Sequence, residues 1–375
     1  MGLSAEKEGE MKNNNRTVYK SIDLFAGIGG IRMGFERAFG DRIETNFVSE
    51  WDGYAQKTYV ANFHDDFEIA GDITKIDAKN IPAFNICLAG FPCQAFSIAG
   101  NKQGFKDDYK GRCRGTLFFD VARICEEHRP EIIFCENVKG LTIHNKGNTL
   151  RVITETLGEL GYNVYSEVLN SKDFGVPQNR ERIYIVAFRK DIDSSGFTFP
   201  RGKDTGVRIR DIMEKEVPSV KYYLSDKYLD GLEKHRARHE SKGHGFGYVI
   251  RDLNDTAGAI VCGGMGRERN LLIDNRLTDR TPVTNIKGKV NERGVRRMTP
   301  REWARLQGYP DSYQLPLADT HNYKQLGNSV TVTVIEAIAK QIRIVLDGKC
   351  QPASSETEKW ENTAATEANG QSCTY

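Results

Sequence analysis

The stretch Ser21-Ile22-Asp23-Leu24-Phe25-Ala26-Gly27-Ile28-Gly29-Gly30-Ile31 joins an apolar, strand-like run to a glycine-rich turn, and a helix-like segment follows at residues 32–39. Glycine lets the backbone approach a bound ligand closely. The turn has neither the Gly-x-Gly-x-x-Gly dinucleotide fingerprint nor the Gly-Lys-Ser/Thr of a phosphate-binding loop, so its ligand need not carry a pyrophosphate. Strand-like runs alternate with amphipathic stretches from residue 18 to 190, which predicts an α/β fold with a mostly parallel sheet covered by helices.

The next strand-like runs end in residues that suit an adenosine-like ligand. The run at residues 46–49 leads to Glu50 and Trp51, and an acid about 20 residues past a glycine turn suits ribose hydroxyls. Trp51 would then stack on an adenine. Asp72 follows a third short run and suits an exocyclic amine, with a turn or helix-cap role as the alternative.

The stretch Gly90-Phe91-Pro92-Cys93-Gln94-Ala95-Phe96-Ser97 places a thiol just past a buried strand-like run at residues 84–89. In open α/β sheets, ligands bind at the carboxyl ends of the strands. Pro92 restricts the backbone around it, whereas Gly90 and Gly100 allow the intervening loop to move. Cys93 is therefore the predicted nucleophile. The alternative for an isolated cysteine is a small apolar filler in the core.

Together these segments resemble the cytosine-5 DNA methyltransferase family, whose members use S-adenosylmethionine. The resemblance covers nearly the whole of residues 18–346 and keeps the motifs in the family's order. The other motifs are at residues 114–119 (Arg-Gly-Thr-Leu-Phe-Phe), 136–138 (Glu-Asn-Val), 178–182 (Gln-Asn-Arg-Glu-Arg), 296–310 and 325–330 (Gln-Leu-Gly-Asn-Ser-Val). Within the family the chain is most similar to bacterial restriction-modification methyltransferases that modify CCGG, particularly over residues 222–289.

The resemblance implies the S-adenosylmethionine-dependent methyltransferase fold, which is Rossmann-like, with a smaller, irregular DNA target-recognition domain. We expect residues 17–195 and 325–346 to form the catalytic and cofactor-binding domain. Residues 196–324 would form the target-recognition region, including the helix that returns the chain to the first domain. The polar tails, residues 1–16 and 347–375, are expected to be disordered.

The family's chemistry explains why these residue types are required. Carbon 5 of cytosine is too weak a nucleophile to take a methyl group from a sulfonium until a thiolate has added to carbon 6. The resemblance assigns that addition to Cys93. It assigns hydrogen bonding or protonation of N3 to Glu136, which requires a raised pKa. It assigns contact with O2 to Arg182, supported by Arg180; on residue type alone, both arginines would be surface charges at a strand start.

The resemblance also implies a set of cofactor-binding residues. They are Phe25, Ala26, Gly27, Gly29, Gly30, Glu50, Trp51, Asp72, Ile73, Gly90, Pro92, Leu117, Asn328 and Ser329. On residue type alone, Asn328 and Ser329 would be turn and capping residues.

A cytosine cannot react in this way inside a stacked duplex, so it must be flipped out of the helix. The glycines and positive charges of residues 92–116 suit a lid that closes on DNA. The expected DNA-binding residues are Gln94, Ser97, Lys102, Arg112 and Arg114 in that lid, and Gly263, Gly264, Arg267 and Arg269 in the recognition region; Arg236, Arg238 and Arg276 are further candidates. Many family members have Thr-Leu shortly before this glycine run, where this chain has Val261-Cys262, so the threonine's contacts are not carried over.

Composition agrees with a double-stranded DNA substrate. The net charge is only +2, but residues 201–300 hold 21 Lys and Arg against 14 Asp and Glu, where a DNA-reading domain is expected. The eight cysteines lack Cys-x-x-Cys spacing, which predicts neither metal nor disulfides and suits a reducing cytoplasm. No apolar stretch reaches membrane-spanning length. We expect a monomeric, cytoplasmic bacterial enzyme that associates with the nucleoid through DNA. A cognate restriction endonuclease would act on the same site without direct contact.

Two other functions remain open from the sequence. One is an RNA cytosine methyltransferase with the same catalytic domain, against which the long insert before Arg296 favours the reading of duplex DNA. The other is a DNA-binding module that has lost catalysis, against which Cys93, Glu136 and Arg182 are all present.

Overall fold

The sheet at the centre of the chain has six strands within residues 17–92, 117–243, 247–263 and 266–348, which are the residues that the computed structural model describes. All strands in these ranges are β1 (Tyr19–Leu24), β2 (Ile43–Ser49), β3 (Ile86–Ala89), β4 (Ile132–Val138), β5 (Tyr162–Asn170), β6 (Gln178–Asn179), β7 (Glu181–Arg189), β8 (Ala257–Gly258), β9 (Leu271–Ile273) and β10 (Val295–Arg297). The helices are α1 (Gly30–Phe39), α2 (Gly53–Val60), α3 (Phe118–His128), α4 (Asn148–Glu159), α5 (Ile209–Ile212), α6 (Asp226–Glu240), α7 (Pro300–Leu306), α8 (Asp319–Asn328) and α9 (Val332–Leu346).

The central sheet is mostly parallel, as predicted. Its strand order is β2-β1-β3-β4-β7-β5. Strands β1 to β4 pair in parallel, whereas β7 is antiparallel to both β4 and β5. The α/β fold predicted from the sequence is therefore confirmed.

Helices cover both faces of this sheet, which explains why the sequences of its strands are nearly continuous apolar runs. On one face α3 and α4 pack on side chains such as Ile22 and Ile133. On the other face α1 and α9 pack on Leu88 and Phe134. Helices α1 and α9 approach closely at Gly34, where a β carbon would lie 2.5 Å from the Ile335 side chain.

The sequence predicts helices at residues 116–128 and 149–160 and a helix start at Thr299-Pro300, and the family resemblance implies a last helix at about 330–346. Within the described residues these helices are observed as α3, α4 and α9. The predicted start is that of α7. The Thr299 hydroxyl accepts a hydrogen bond from the Glu302 amide, and the Glu302 carboxylate accepts one from the Thr299 amide at 2.8 Å, with Pro300 in the first turn.

After β7 the chain leaves the central sheet and forms a smaller region of short elements. Strand β9 pairs antiparallel with β10, and β8 pairs with β6. A separate core joins Leu229 and Leu232 of α6 to Leu271 and Val295 of the short strands. Among the described residues, no helix is long and apolar enough to cross a membrane.

A buried group of charges joins this smaller region to α7. The Arg296 guanidinium donates to Asp274 at 2.9 Å and, through two nitrogens, to both carboxylate oxygens of Glu302 at 2.8 Å. The three side chains are at most 1% exposed. Because Glu302 also completes the capping box of α7, the position of β10 is tied to the start of that helix.

We expect Arg296→Met to lower the free energy of unfolding by about 3 kcal/mol, because removing one partner leaves buried carboxylates without their cation. Urea unfolding would measure the change. Lys289→Met is the control. Lys289 pairs with Glu292, both side chains are about two-thirds exposed, and an exposed ion pair contributes little to the free energy of unfolding. Equal unfolding midpoints for the two variants would contradict this account of Arg296.

Candidate active site

The carboxyl ends of β1, β2, β3 and β4 meet at one edge of the sheet. The residues that follow these ends are Phe25 after β1, Glu50 after β2 and Gly90 after β3, while Glu136 lies near the end of β4. The segment that carries Asp72 joins this edge because the amide of Glu50 donates to the Ala70 carbonyl at 2.9 Å. The shared strand direction therefore brings Phe25, Glu50, Gly90 and Glu136 to one edge.

Glu50 fastens the glycine turn to the end of β2. Its carboxylate accepts from the Gly27 amide at 2.7 Å and from the Asp52 amide at 2.8 Å. Burial raises the pKa of Glu50, and the two amide hydrogen bonds oppose that rise. A carboxylate has about four acceptor positions, so Glu50 can hold the turn and still accept from ligand hydroxyls. At the start of the turn, Phe25 has a φ of 57°, which is uncommon for a residue with a side chain.

Two glycines of this turn are needed because other groups approach it closely. A β carbon on Gly29 would lie 2.2 Å from the Phe63 ring. One on Gly30 would lie 2.6 Å from the Tyr309 hydroxyl and 3.0 Å from that of Ser329. The glycine turn thus lies directly against the loop that carries the predicted cofactor residues Asn328 and Ser329.

Trp51 and Asp72 have different surroundings at this edge. The Trp51 side chain is 82% exposed, an unusual value for an indole, so its ring is open to a stacking partner. Asp72 caps a short turn by accepting from the Thr74 amide and hydroxyl, and these hydrogen bonds lower the pKa of Asp72. Ile73 is buried, and its carbonyl accepts from Arg123 at 2.6 Å. The capping role left open for Asp72 is therefore observed, and its second oxygen faces Lys75 at 3.4 Å.

Asp23 lies beneath the turn without a hydrogen-bond partner. Its side chain is fully buried, and neither carboxylate oxygen is bonded within the described residues. The Arg32 guanidinium instead pairs with Asp65 at 2.6 Å and donates to the Tyr59 hydroxyl. Burial raises the pKa of Asp23 to about 8, with Arg32 opposing the rise and Glu50 adding to it.

The predicted nucleophile Cys93 lies outside the described residues, which end at Pro92 on this side. The same holds for Gln94, Ser97, Lys102, Arg112, Arg114 and Gly264. The backbone just before Cys93 is described, and a side chain of β4 holds it in place. The Asn137 side chain donates to the Phe91 carbonyl at 2.9 Å, and both residues are buried. The backbone two residues before Cys93 is therefore fixed to the neighbour of Glu136.

Glu136 pairs with Arg182 across strands β4 and β7. Register places Val138 opposite Arg182 and Glu136 opposite Tyr184. The Arg182 Nε is 3.3 Å from a Glu136 oxygen, and the two side chains are only 15% and 11% exposed. Burial raises the pKa of Glu136, while the charges of Arg182 and Arg180 act against the rise. The arrangement favours a carboxyl group that keeps its proton to a higher pH than an ordinary glutamate does.

Arg180 has different contacts from Arg182. It lies just before β7 and is buried. Its guanidinium donates to the carbonyls of Ile260 at 2.8 Å, Ser329 at 2.6 Å and Gly327 at 3.3 Å. Burial, followed by the charge of Arg182, lowers the pKa of Arg180 to about 9. These contacts identify Arg180 as a residue that positions the backbone around the site.

Two arginines near the glycines of the expected recognition region are exposed to solvent. In the short turn Gly266–Asn270, Arg267 and Arg269 face solvent while Glu268 and Asn270 are buried. The Arg267 guanidinium carbon lies 5.5 Å from the centre of the Tyr323 ring. Other candidates are already paired, Arg236 with Glu240 and Arg276 with Asp274, and Gly263 has a φ of 104° that favours glycine. Arg267 and Arg269 are thus exposed cations, as is the further candidate Arg238.

The sequence did not single out Asp23, Asn137 or Cys262 as site residues. Asp23 and Asn137 occur inside quoted motifs. Their roles depend on hydrogen-bond partners that are distant in sequence, which Asn137 has and Asp23 lacks. Cys262 is exposed, and its sulfur is 2.6 Å from the Asn328 side-chain oxygen. Across the described ranges, no group of three or more His, Cys, Asp or Glu residues could hold a metal ion.

Comparison with known proteins agrees with the geometry of this edge. Residues 19–343 match the protein family described as C-5 cytosine-specific DNA methylase. The chain is 56% identical over 339 residues to Type II methyltransferase M.HpaII of Haemophilus parainfluenzae, covering 89% of this chain and 92% of the relative. It is 46% identical to Type II methyltransferase M.SsoII of Shigella sonnei, over 89% of this chain and 83% of the relative.

Solved structures share the fold. The S. pombe Dnmt2 methyltransferase matches with a TM-score of 0.66 at 19% identity, over 89% of this chain and 99% of that one. The Entamoeba histolytica methyltransferase EhMeth matches with a TM-score of 0.65 at 20% identity, over 89% and 99% of the two chains.

We expect Asp23→Asn to change how stability depends on pH. In the folded protein the pKa of Asp23 is about 8, against 3.8 for an ordinary aspartate, so the folded state holds the extra proton between these values. Wild-type stability should therefore fall relative to the variant as pH rises from 5 to 8, by up to about 1 kcal/mol per pH unit. Thermal unfolding at several pH values would measure this. Asp72→Asn is the control, because the pKa of Asp72 is lowered and not raised. If the difference in stability between wild type and Asp23→Asn does not change with pH, the account is contradicted.

Proposed function

The chain belongs to the C-5 cytosine-specific DNA methylase family, and from that premise we propose its target and the role of each site residue. It is a DNA (cytosine-5-)-methyltransferase that uses S-adenosylmethionine. We propose that it methylates carbon 5 of one flipped-out cytosine in duplex CCGG. The modification would protect host DNA in a restriction-modification system.

The observation that carries the proposal is the cluster at the end of β4. The Glu136 side chain is 11% exposed, and its carboxylate lies 3.3 Å from the Arg182 Nε. Its neighbour Asn137 holds the Phe91 carbonyl at 2.9 Å, two residues before Cys93. We propose that the Cys93 thiol acts beside this acid and this cation, which would supply the groups that covalent catalysis requires.

Cys93 is proposed to add to carbon 6 of the cytosine as a thiolate. The new bond moves electron density to carbon 5, which can then take the methyl group. As the thiolate adds, negative charge develops at N3 and O2. Glu136, with its raised pKa, would hydrogen-bond or protonate N3, and Arg182 would contact O2. A base, such as water, would then take the carbon-5 proton, and the electron pair of that C–H bond would restore the ring double bond as Cys93 leaves carbon 6 as a thiolate.

The turn after β1 fits the cofactor. When bound, S-adenosylmethionine supplies an activated methyl group on a positively charged sulfur. The proposed binding residues meet its chemistry: Glu50 has acceptor capacity left, and the Trp51 ring is exposed. The absence of side chains at Gly29 and Gly30 keeps Phe63 and Ser329 close to the turn. Backbone at Pro92, Leu117 and Ile73 would complete the enclosure.

DNA reading is proposed to occur in the smaller region. We propose residues 17–195 and 325–346 as the catalytic domain and residues 196–324 as the recognition region. Its excess of positive charge and the exposed Arg267 and Arg269 support contact with phosphates or base edges. Similarity to CCGG-modifying methyltransferases over residues 222–289 supports CCGG as the target. We propose that the enzyme acts as a cytoplasmic monomer, with a cognate endonuclease that cuts the same site without contacting it.

Mapping of 5-methylcytosine tests this proposal. The chain would be expressed in cells without their own cytosine methylation, and bisulfite sequencing would locate modified bases. We expect methylation at one cytosine of CCGG. Methylation confined to another motif would overturn the proposed target, and soluble protein that binds S-adenosylmethionine but methylates only RNA would overturn the DNA substrate.

Single substitutions should separate the proposed roles. We expect Cys93→Ala to abolish methyl transfer while DNA binding is retained. We expect Glu136→Gln to lower kcat by about 10²- to 10⁴-fold, the usual contribution of a positioned proton donor, with little change in cofactor affinity. Single-turnover methylation and gel-shift assays on the same duplex would measure both. Normal turnover in either variant would remove its residue from the mechanism.

A further inference from the structure

The turn Gly266–Asn270, here called the recognition turn, alternates between exposed arginines and buried polar residues. Arg267 and Arg269 face solvent, whereas Glu268 is only 3% exposed and Asn270 is fully buried. A charged side chain is rarely buried in this way unless it is paired. The partners of Glu268 and Asn270 therefore show what holds the two arginines in place.

Glu268 fastens the middle of the recognition turn to the smaller region. One of its carboxylate oxygens accepts from the Arg297 Nε at 2.9 Å and from the Tyr228 hydroxyl at 3.0 Å. The Arg297 guanidinium carbon also lies 5.0 Å from the centre of the Tyr228 ring. The Glu268 carbonyl accepts from the Val249 amide at 2.9 Å. Strand β10, helix α6 and the segment before β8 thus all hold this one residue.

Asn270 fastens the end of the recognition turn to strand β8. Its side-chain oxygen accepts from the Gly258 amide at 2.8 Å, and its side-chain nitrogen donates to the Gly258 carbonyl at 3.0 Å. The Arg251 Nε donates to the same Asn270 oxygen at 3.0 Å and to the Arg269 carbonyl at 3.2 Å. The backbone that carries Arg269 is therefore held from within the protein.

Strand β8 joins the recognition turn to the candidate active site. Gly258 pairs with Asn179 of β6, which lies three residues before Arg182 of β7. Arg182 in turn lies 3.3 Å from Glu136. The turn is therefore connected through paired strands to the residues proposed to act on the flipped base. Such a connection fixes the separation between the turn and that base.

The two exposed arginines keep their charges for a ligand. Among the described residues, Arg297 is the cation that pairs with Glu268, and neither Arg267 nor Arg269 has a carboxylate partner. The Arg267 guanidinium carbon lies 5.5 Å from the centre of the Tyr323 ring, which directs the side chain without neutralising it. The arginine fork matches the O6 and N7 acceptors of guanine in the major groove. Base reading needs a backbone held in one position, and the recognition turn has one.

We propose that Glu268 is a positioning residue for target recognition, which holds Arg267 and Arg269 against the edges of two guanine bases. Without its carboxylate, the arginines would keep their charges but the turn could move. The protein would then still bind DNA through charge while losing part of its preference for the site. The proposal rests on the duplex DNA substrate proposed above and not on the assignment of CCGG.

Duplexes with 7-deazaguanine test the proposal, because this base pairs normally but lacks the N7 acceptor. Fluorescence anisotropy would give the Kd of the full-length wild type and its variants for a duplex with the site found by methylation mapping. Further duplexes would carry 7-deazaguanine at one guanine of that site at a time. The ratio of modified to unmodified Kd, here called the N7 factor, measures base reading. Loss of folded protein affects both Kd values equally and cancels in this ratio.

For the wild type we expect an N7 factor of at least about 5 at two guanines, the lower range for one arginine–guanine pair. Arg267→Ala and Arg269→Ala should each bring the factor at one of these guanines close to 1. Glu268→Ala should lower both factors by about threefold, because the turn loses its hydrogen bonds to Arg297 and Tyr228.

Two variants act as controls for Glu268→Ala. Glu268→Gln keeps an acceptor oxygen for Tyr228 and Arg297 and should retain more of both N7 factors. Glu292→Ala removes the same charge from the same region, where Glu292 is about two-thirds exposed and paired with Lys289, and should leave both factors unchanged.

Wild-type N7 factors in Glu268→Ala, with methylation retained, would overturn the inference while the methyltransferase function stands. A wild-type factor close to 1 at every guanine would do the same. So would arginine variants that weaken binding to all duplexes equally and lower the slope of log Kd against log salt by about 0.9 each, since Arg267 and Arg269 would then contact phosphates. A wild type that methylates no duplex would overturn the proposed function and this inference with it.

Discussion

Strands β1, β2, β3 and β4 run parallel, and their shared direction determines where the chemistry of this protein can occur. Each strand is buried by helices on both faces, so only its carboxyl end opens to a ligand. The glycine turn, Glu50, the Phe91-Pro92 approach and Glu136 all lie at those ends. A break in this alignment would separate the glycine turn from Glu136, the acid that is proposed to act on the base.

The antiparallel strand β7 places a cation beside Glu136. It runs back along β4, and its first residues therefore lie beside the last residues of β4, which places Arg182 next to Glu136. Beyond β7 the chain builds the smaller region and then returns through α7, α8 and α9. The return brings residues 327–329 against the glycine turn. Arg180 donates to the Ser329 carbonyl in that segment and to the Ile260 carbonyl in the smaller region. The residues proposed for catalysis, cofactor binding and DNA reading are thus joined by one small set of buried contacts.

Much of this could be predicted from the sequence because it depends on local patterns. Glycines after an apolar run, an acid at the next strand end and a threonine before a proline each predict a turn, a ligand group or a helix start. The role of Arg180 could not be predicted, since its acceptors lie 80 and 149 residues away along the chain. Nor could the isolation of Asp23, which arises because Arg32 pairs with Asp65 instead. The contact between Cys262 and Asn328 likewise depends on how two distant segments return to each other.

The central claim is that Cys93 attacks a cytosine held by Glu136 and Arg182. A duplex with 5-fluorocytosine at the modified position tests it most directly, because fluorine cannot leave as a proton does and the enzyme should remain attached. With S-adenosylmethionine present, mass spectrometry of the digested complex should find the base, now methylated, bonded to the peptide that contains Cys93. An adduct on another cysteine, or no adduct with an enzyme that methylates ordinary DNA, would contradict the account.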